Sequence, residues 1–293
     1  MTRKHHHVVS RGYQRLFASG EQLLYIDWVA KTFKLIGTRD AFAEKHFNSW
    51  KTVTGWNDDL EDEGQRVENV VLPRVRRLLS GAENTGDREA VKVLAAIHFA
   101  RSYAFRDAHE RIGVQLAEEF GASSTGDEEF RRLYAADKGH DPEPDEIETY
   151  IKDRMRDLRE DGSHFLERMV AAYEFGLGHF EPMHVQLLHA RGRVGFVLGD
   201  TPLVAIDTLG FRVGIRDRLA LGDANAIAMT LGRRTAMTLW GQDRRPDPDQ
   251  QLDRISVQRL NLLVARATQR YLACDPAMDP TVLLSDQSLK RVI

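Results

Sequence analysis

One cysteine, Cys274, is all that the 293 residues contain. An internal disulfide and a cysteine-based zinc finger are thereby excluded, and a reducing, cytoplasmic setting is expected. The sequence also lacks a dominant charge. Its 41 basic and 44 acidic side chains leave a net −3, so no global basic field holds nucleic acid and any phosphate binding must come from a local patch. No apolar run approaches the ~20 residues of a membrane-spanning helix. The basic start is followed by polar residues and not by an apolar stretch of about 7–15 residues, so neither a signal peptide nor a membrane partner is expected. Several catalytic signatures are missing as well. There is no Gly-x-x-x-x-Gly-Lys-Ser/Thr loop, no His-Glu-x-x-His helix and no Gly-x-Ser-x-Gly elbow, which removes the common P-loop, zincin and serine-hydrolase readings. Gly176-Leu177-Gly178 lacks the third glycine and the preceding strand of a dinucleotide fingerprint.

What is present concentrates at the beginning. His5, His6, His7, Arg11, Tyr13 and Arg15 crowd a stretch that no ordinary core element requires. A purification-tag stub is the bland explanation, but three histidines are few for a tag and they stand in register with Tyr13, Arg15 and Phe17, so the segment reads as native. Beyond it, Leu23–Trp28 and Thr32–Ile36 are β-rich runs that predict a hairpin. From residue 57 the period becomes helical. Asn57 is the expected N-cap, Pro73 is expected to kink or split the first helix, and Gly81 to stop it. A second helix is expected from Asp87 to about Phe120, with Leu94, Ile97, Arg101, Phe105, Ala108, Ile112 and Leu116 on one stripe. Residues 121–146 are rich in Ser, Gly, Pro and acidic residues and read as a mobile connection with one helical turn at 128–134. A long helix is expected from 145 to 175. The last third returns to a period of two, with strands at 183–189, 194–198 and 203–206, a hairpin over 226–240, a helix over 252–272, and an irregular tail. The whole, 1–293, reads as a single α+β domain. Its N-terminal hairpin and C-terminal strands (about 183–273, with one helix) form one sheet around a mostly helical middle at about 57–177.

The run His6-His7-x-Val9-x-x-x-Tyr13-x-Arg15-x-Phe17-Ala18 resembles the opening of the domain-of-unknown-function 4238 family. The chain departs from that pattern at Ser10, where Pro is usual, and at Gln14, where Leu is usual. His98-Phe99-Ala100-Arg101-Ser102, the strand leading into Gly199-Asp200-Thr201-Pro202 (with Gly199 in place of the usual serine) and a late helix bearing Asn261 fit the same family. The resemblance spans most of the chain and implies no activity, since none defines the family.

Each conspicuous residue has a chemical and a structural reading. In an extended segment His5 and His7 share a face and can ligate a divalent metal if a carboxylate arrives; Glu61, with Glu63 and Glu68, is the nearest candidate. A histidine here can instead serve as general base. The bland alternatives are hydrogen bonding to a sheet and an acidic helix start that suits the dipole. Arg101, a guanidinium on an apolar stripe, requires a counter-ion, either a structural carboxylate or a bound phosphate. Asp200, at a strand end before Pro202, is the protein-side candidate, or else a turn aspartate that caps backbone. Tyr13 and Arg15 either hold a ligand or pack the N-terminal arm, and Asn261 reads as a buried hydrogen-bonding tie. Taken together, the expected protein is a hydrolase acting on a phosphate-containing substrate, nuclease- or phosphodiesterase-like. His6, His7 and Asp200 would be catalytic, Tyr13, Arg15 and Arg101 would bind substrate, and a divalent metal on His5, His7 and Glu61 is the cofactor considered. The alternative is a non-catalytic protein that binds a small ligand or nucleic acid.

Overall fold

A computed structural model describes residues 5–279 except 46, 48, 53–54, 109–110, 112–127, 144, 148, 151–152, 154–161, 208–211, 215–216 and 218. The fold is α+β, with strands near both ends and helices between. Strand β1 (His5–His7) leads through a short helix α1 (Arg11–Gln14) into the expected hairpin, β2 (Gln22–Asp27) and β3 (Thr32–Gly37). Three short strands follow: β4 (Ala43–Lys45), β5 (Trp50–Thr52) and β6 (Gly55–Asn57). The helical middle comprises α2 (Asp59–Leu79), α3 (Asp87–Ala100), α4 (Glu128–Lys138) and α5 (Gly162–Phe180). The C-terminal part is β7 (His184–Ala190), β8 (Leu198–Gly199), β9 (Leu203–Ile206), β10 (Ala226–Thr230), β11 (Thr235–Trp240), β12 (Gln250–Leu252), α6 (Arg254–Ala267) and β13 (Tyr271–Cys274).

The N-terminal hairpin does share a sheet with late strands, in the order β3-β2-β13-β8, and the remaining late strands build a second sheet, β12-β7-β11-β10-β9. The join is made by β13, which pairs antiparallel with β2 from Tyr271↔Asp27 to Cys274↔Leu24. Residues 271–272 were expected to end a helix. That helix stops at Ala267, where Thr268 adopts an extended conformation at the C-cap, and the next residues suit the centre of a sheet. Strands β2 and β13 of the four-stranded sheet are buried on both faces, and their side chains alternate between two apolar clusters. Leu23, Tyr25 and Ala273 enter the larger cluster, while Leu24, Ile26, Leu272 and Cys274 enter the smaller one beneath α6. Both clusters draw on residues from both ends of the chain.

Three helix boundaries differ from the sequence reading. Helix α2 runs through Pro73 unbroken. The hydrogen bond lost there is offset by Leu72, Val75 and Leu78, all buried. Helix α3 ends at Ala100, and Arg101 is its C-cap with φ −94° and ψ 6°. The stop is made by Ser102, whose hydroxyl donates to the Phe99 carbonyl at 2.9 Å and accepts from the Phe105 N–H at 3.1 Å. That second bond caps a new helical segment over 103–108. The expected turn at 128–134 is the longer α4, and all of the stretch 121–127 and most of the first part of the expected helix, 145–161, lie outside the described residues.

Asn261, in mid-α6, is a buried tie. Its side chain accepts from the Val197 N–H at 3.1 Å and donates to the Gly195 carbonyl at 2.9 Å. Asn261→Ala should leave both main-chain groups unsatisfied inside the protein and cost roughly 2–4 kcal/mol, read as a lower urea midpoint at unchanged slope. Asn261→Asp should cost at least as much, because a carboxylate oxygen would replace the donor that meets the Gly195 carbonyl and set two acceptors together inside the protein.

Candidate functional site

The N-terminal strand is clamped between the start of α2 and the end of α3. β1 pairs antiparallel with β4 (His6↔Glu44, His7↔Ala43), and Arg101 holds it from the other side. One guanidinium nitrogen, Nη2, donates to the His7 carbonyl at 3.0 Å and to Glu61 Oε2 at 2.7 Å, while Nη1 donates to Glu68 Oε1 at 3.3 Å. Glu61, Gly64 and Glu68 lie on one face of α2, as their spacing requires. Gly64 matters because a Cβ there would lie 2.8 Å from Arg101 Nη1; the bare backbone lets the guanidinium rest against the helix. Arg101 is 5% exposed, Glu68 1% and Glu61 9%, so this charge is neutralised inside the protein. Burial pushes the Glu68 carboxyl above its usual range, against the pull of Arg101 and a hydrogen bond with Ser10. Ser10 is one of the residues that depart from the family pattern, and its oxygen also caps α1 by accepting from the Tyr13 N–H at 3.3 Å.

The structure therefore brings His6, His7, Glu61 and Arg101 to one end of the N-terminal arm. Arg101 takes the carboxylate reading over the phosphate reading, and its partners are Glu61 and Glu68, not Asp200. Glu61, the carboxylate suggested for a metal, is held by Arg101. Among the described residues no group of three His, Cys, Asp or Glu side chains is arranged to hold a metal ion, and the His5 side chain lies outside them. His7 is half-buried, and its Nε2–H donates to the Arg39 carbonyl at 3.0 Å. Burial lowers its basicity, outweighing that hydrogen bond and the attraction of Glu61, so the imidazole is held neutral.

Tyr13, Arg15 and Asp200 have structural partners. Tyr13 is fully buried, its hydroxyl donates to the Thr230 carbonyl, and its ring meets Phe17 edge-on and His98 at 4.6 Å. Arg15 is at the surface, bonded through Nε to Glu21 at 2.8 Å. Asp200 accepts from the N–H groups of Gln269, Arg270 and Tyr271, each at 2.8 Å. It is a capping aspartate, as the turn reading held, but the backbone that it caps is a distant one. Burial pushes its carboxyl up to about 6 in spite of those bonds.

Two groups were not legible beforehand. Ser49 and Asp58 meet His6: Ser49 Oγ lies 3.2 Å from His6 Nε2 and donates to Asp58 Oδ1 at 2.7 Å, and Asp58 Oδ1 lies 3.4 Å from Nε2. Asp58 is the N-cap of α2, yet its side chain makes no capping bond, being turned toward Ser49 and His6 instead. The acidic helix start contained the clue; Ser49, in a stretch of mixed character, had none. Nearby, the Tyr103 hydroxyl donates to Glu44, and burial together with that carboxylate raises its pKa far above the ordinary phenol value.

A family model described as a protein of unknown function (DUF4238) matches residues 5–277 of this chain, and the chain belongs to that family. No curated protein and no solved structure matches it. No described helix is long and apolar enough to cross a membrane.

Two outcomes follow from this geometry. Arg101→Ala should destabilise the fold by roughly 3–5 kcal/mol by stranding two buried carboxyls. Adding Glu61→Gln and Glu68→Gln to Arg101→Met should recover most of the loss in denaturant titrations, whereas Arg101→Lys should not, since an ammonium cannot span both partners. His98 is 1% exposed, and neither ring nitrogen has a hydrogen-bond partner. Burial, reinforced by Arg101, lowers its pKa to about 3. A depressed histidine stabilises fully above the unfolded value near 6.5 and loses that contribution as pH falls toward 3. Between pH 7 and 4.5 the wild type should therefore lose roughly 2–3 kcal/mol more than His98→Phe, measured by urea denaturation at each pH.

Proposed function

We propose that this member of a family without an assigned activity is a hydrolase, and that its acid–base group is His6 with Ser49 and Asp58. The observation that carries the reading is the meeting of the His6 imidazole with a hydroxyl, 3.2 Å from Nε2 and 3.4 Å from Nδ1, and with a carboxylate 3.4 Å from Nε2. A nucleophile, a base and an anion that balances the protonated base are the parts that such chemistry needs. His6 itself is buried, whereas Ser49 and Asp58 are partly exposed.

In this reading the Ser49 proton, directed at Asp58 in the resting geometry, turns toward His6 Nε2 as the Ser49 oxygen attacks. For a phosphate ester, the new bond is Oγ–P and the bond broken is P–O to the leaving alcohol, which takes the proton from His6. Water deprotonated by His6 then cleaves the phosphoserine and restores the hydroxyl. The phosphate-containing class of substrate, nucleic acid included, has to be recognised by other groups, because Arg11 is paired with Glu21 and Arg101 with Glu61 and Glu68. A divalent cation enters only as an assay condition, since Glu61 is held by Arg101 and the described residues offer no group of three metal-ligating side chains.

A second reading has its own support. Tyr13, Arg101 and Asp200 are all engaged inside the fold, which favours a binding protein in which polar residues build the frame and no turnover occurs. The two are separated by assaying nitrophenyl phosphate mono- and diesters with and without added Mg²⁺ or Mn²⁺. The hydrolase reading expects turnover that falls by at least about 100-fold in Ser49→Ala, with the far-UV circular dichroism unchanged. Turnover that survives Ser49→Ala and His6→Gln would remove the assignment. No turnover of any ester, together with retained binding of a nucleotide or oligonucleotide by calorimetry, would select the binding reading.

A further inference from the structure

Strand β3 is the outer strand of the four-stranded sheet, and its main-chain direction can be read from bonds at its two ends. The Trp28 N–H donates to the Arg270 carbonyl at 2.8 Å, and the Thr38 N–H donates to the Glu21 carbonyl at 2.8 Å. Even-numbered residues at the Trp28 end of β2 therefore turn their main chain toward β13, and odd-numbered ones toward β3. With the register Asp27↔Thr32, Tyr25↔Lys34 and Leu23↔Ile36, residues Thr32, Lys34 and Ile36 face β2. Phe33, Leu35 and Gly37 point their N–H groups outward. The Gly37 carbonyl is taken by the N–H groups of Asp40 and Ala41, but both main-chain groups of Phe33 and Leu35 remain on the open edge.

The side chains of the same two residues are the second observation. Phe33 is 52% exposed and Leu35 58%. Their register partners Ile26 and Leu24 belong to the smaller apolar cluster, so that cluster continues onto β3 and there meets water. A single Lys34 stands between them on the opposite face; edge strands commonly carry such a charge to discourage pairing. The strand thus combines hydrogen-bonding groups that have no partner among the described residues, an apolar face and one positive charge.

We propose that β3 pairs antiparallel with β3 of a second copy of this chain, about a two-fold axis at Leu35, to make one continuous sheet across the dimer. The charge selects the register. An axis at Lys34 would set two ammonium groups directly opposite each other, which is unfavourable. An axis at Leu35 sets Leu35 against Leu35, Lys34 against Ile36 and Phe33 against Gly37. At Gly37 a built Cβ would have no neighbour nearer than 3.9 Å, so the facing Phe33 ring has room to lie over it, a pairing that strengthens glycine-bearing edges. The contact is self-complementary, as a two-fold interface requires.

Sedimentation velocity on the full chain tests this, since Leu35 is exposed and its replacement leaves the monomer fold intact. A concentration-dependent dimer is expected, with Leu35→Glu raising the dissociation constant by at least about tenfold. Cys274 is buried and is the single native cysteine, so Leu35→Cys presents one reactive thiol, which should cross-link the dimer under mild oxidation faster than Lys34→Cys. A monomer at concentrations up to roughly 0.1 mM, in the range of weak association, would overturn the proposal. So would a dimer indifferent to Leu35→Glu, or cross-linking favoured at position 34.

Discussion

A guanidinium cannot be put inside a protein unless something inside is there to meet it, and the placement of Arg101 accounts for much of the surrounding architecture. Two glutamates on α2 supply the charge, Gly64 between them supplies the space, and the His7 carbonyl takes a remaining donor. Helix α3 ends at this residue, so that the guanidinium departs from a cap and not from a continuous ladder. Through His7 the same group fixes β1, and β1 presents His6 to Ser49 and Asp58. The group with chemical potential is thus positioned by one that is purely electrostatic.

From that centre a series of buried polar ties runs to the other end of the chain. Tyr13 reaches the Thr230 carbonyl, the Thr230 hydroxyl donates to the Val197 carbonyl at 2.8 Å, and Asn261 takes the Val197 N–H. Asp200, a few residues on, gathers three N–H groups where α6 turns into β13. These contacts bridge 217, 33, 64 and about 70 positions of sequence. Each neutral bond is worth only about 1 kcal/mol net, but leaving its buried partner unmade costs more. The ties therefore act mainly by penalising any arrangement in which the two ends of the chain are apart.

This explains what the sequence made legible. Arg101 and Asn261 stood out because a polar residue on an apolar stripe has to be paired, and the hairpin at 22–37 because apolar and β-branched residues run continuously there. Glu61 and Glu68 were recognisable as one face of a helix. Their association with Arg101 was not, because helical spacing gives direction within an element and nothing about which element lies opposite. Pro73 misled because a local rule was read without the packing that overrides it. Ser102 was missed because a capping serine inside an uninterrupted apolar period gives no sign of the break. Ser49 and Asp58 escaped because their meeting with His6 depends on β1 lying against the start of α2, a contact that spans more than forty residues.

The conspicuous residues and the chemically capable ones are accordingly different sets that share one histidine. An amino-acid pattern that is unusual for its surroundings reports an unusual burial, and in this protein Tyr13, Arg101, Asp200 and Asn261 are unusual because they are buried and engaged with partners inside the fold. Chemistry asks for the opposite condition: groups near one another that are not consumed by holding the fold. Asp58, the N-cap of α2, makes no side-chain capping bond to that helix and turns its carboxylate to Ser49 and His6. A capping bond is worth roughly 1 kcal/mol. The exchange of that local bond for a three-residue cluster is the strongest physical reason to look for function there, and not at the arginine.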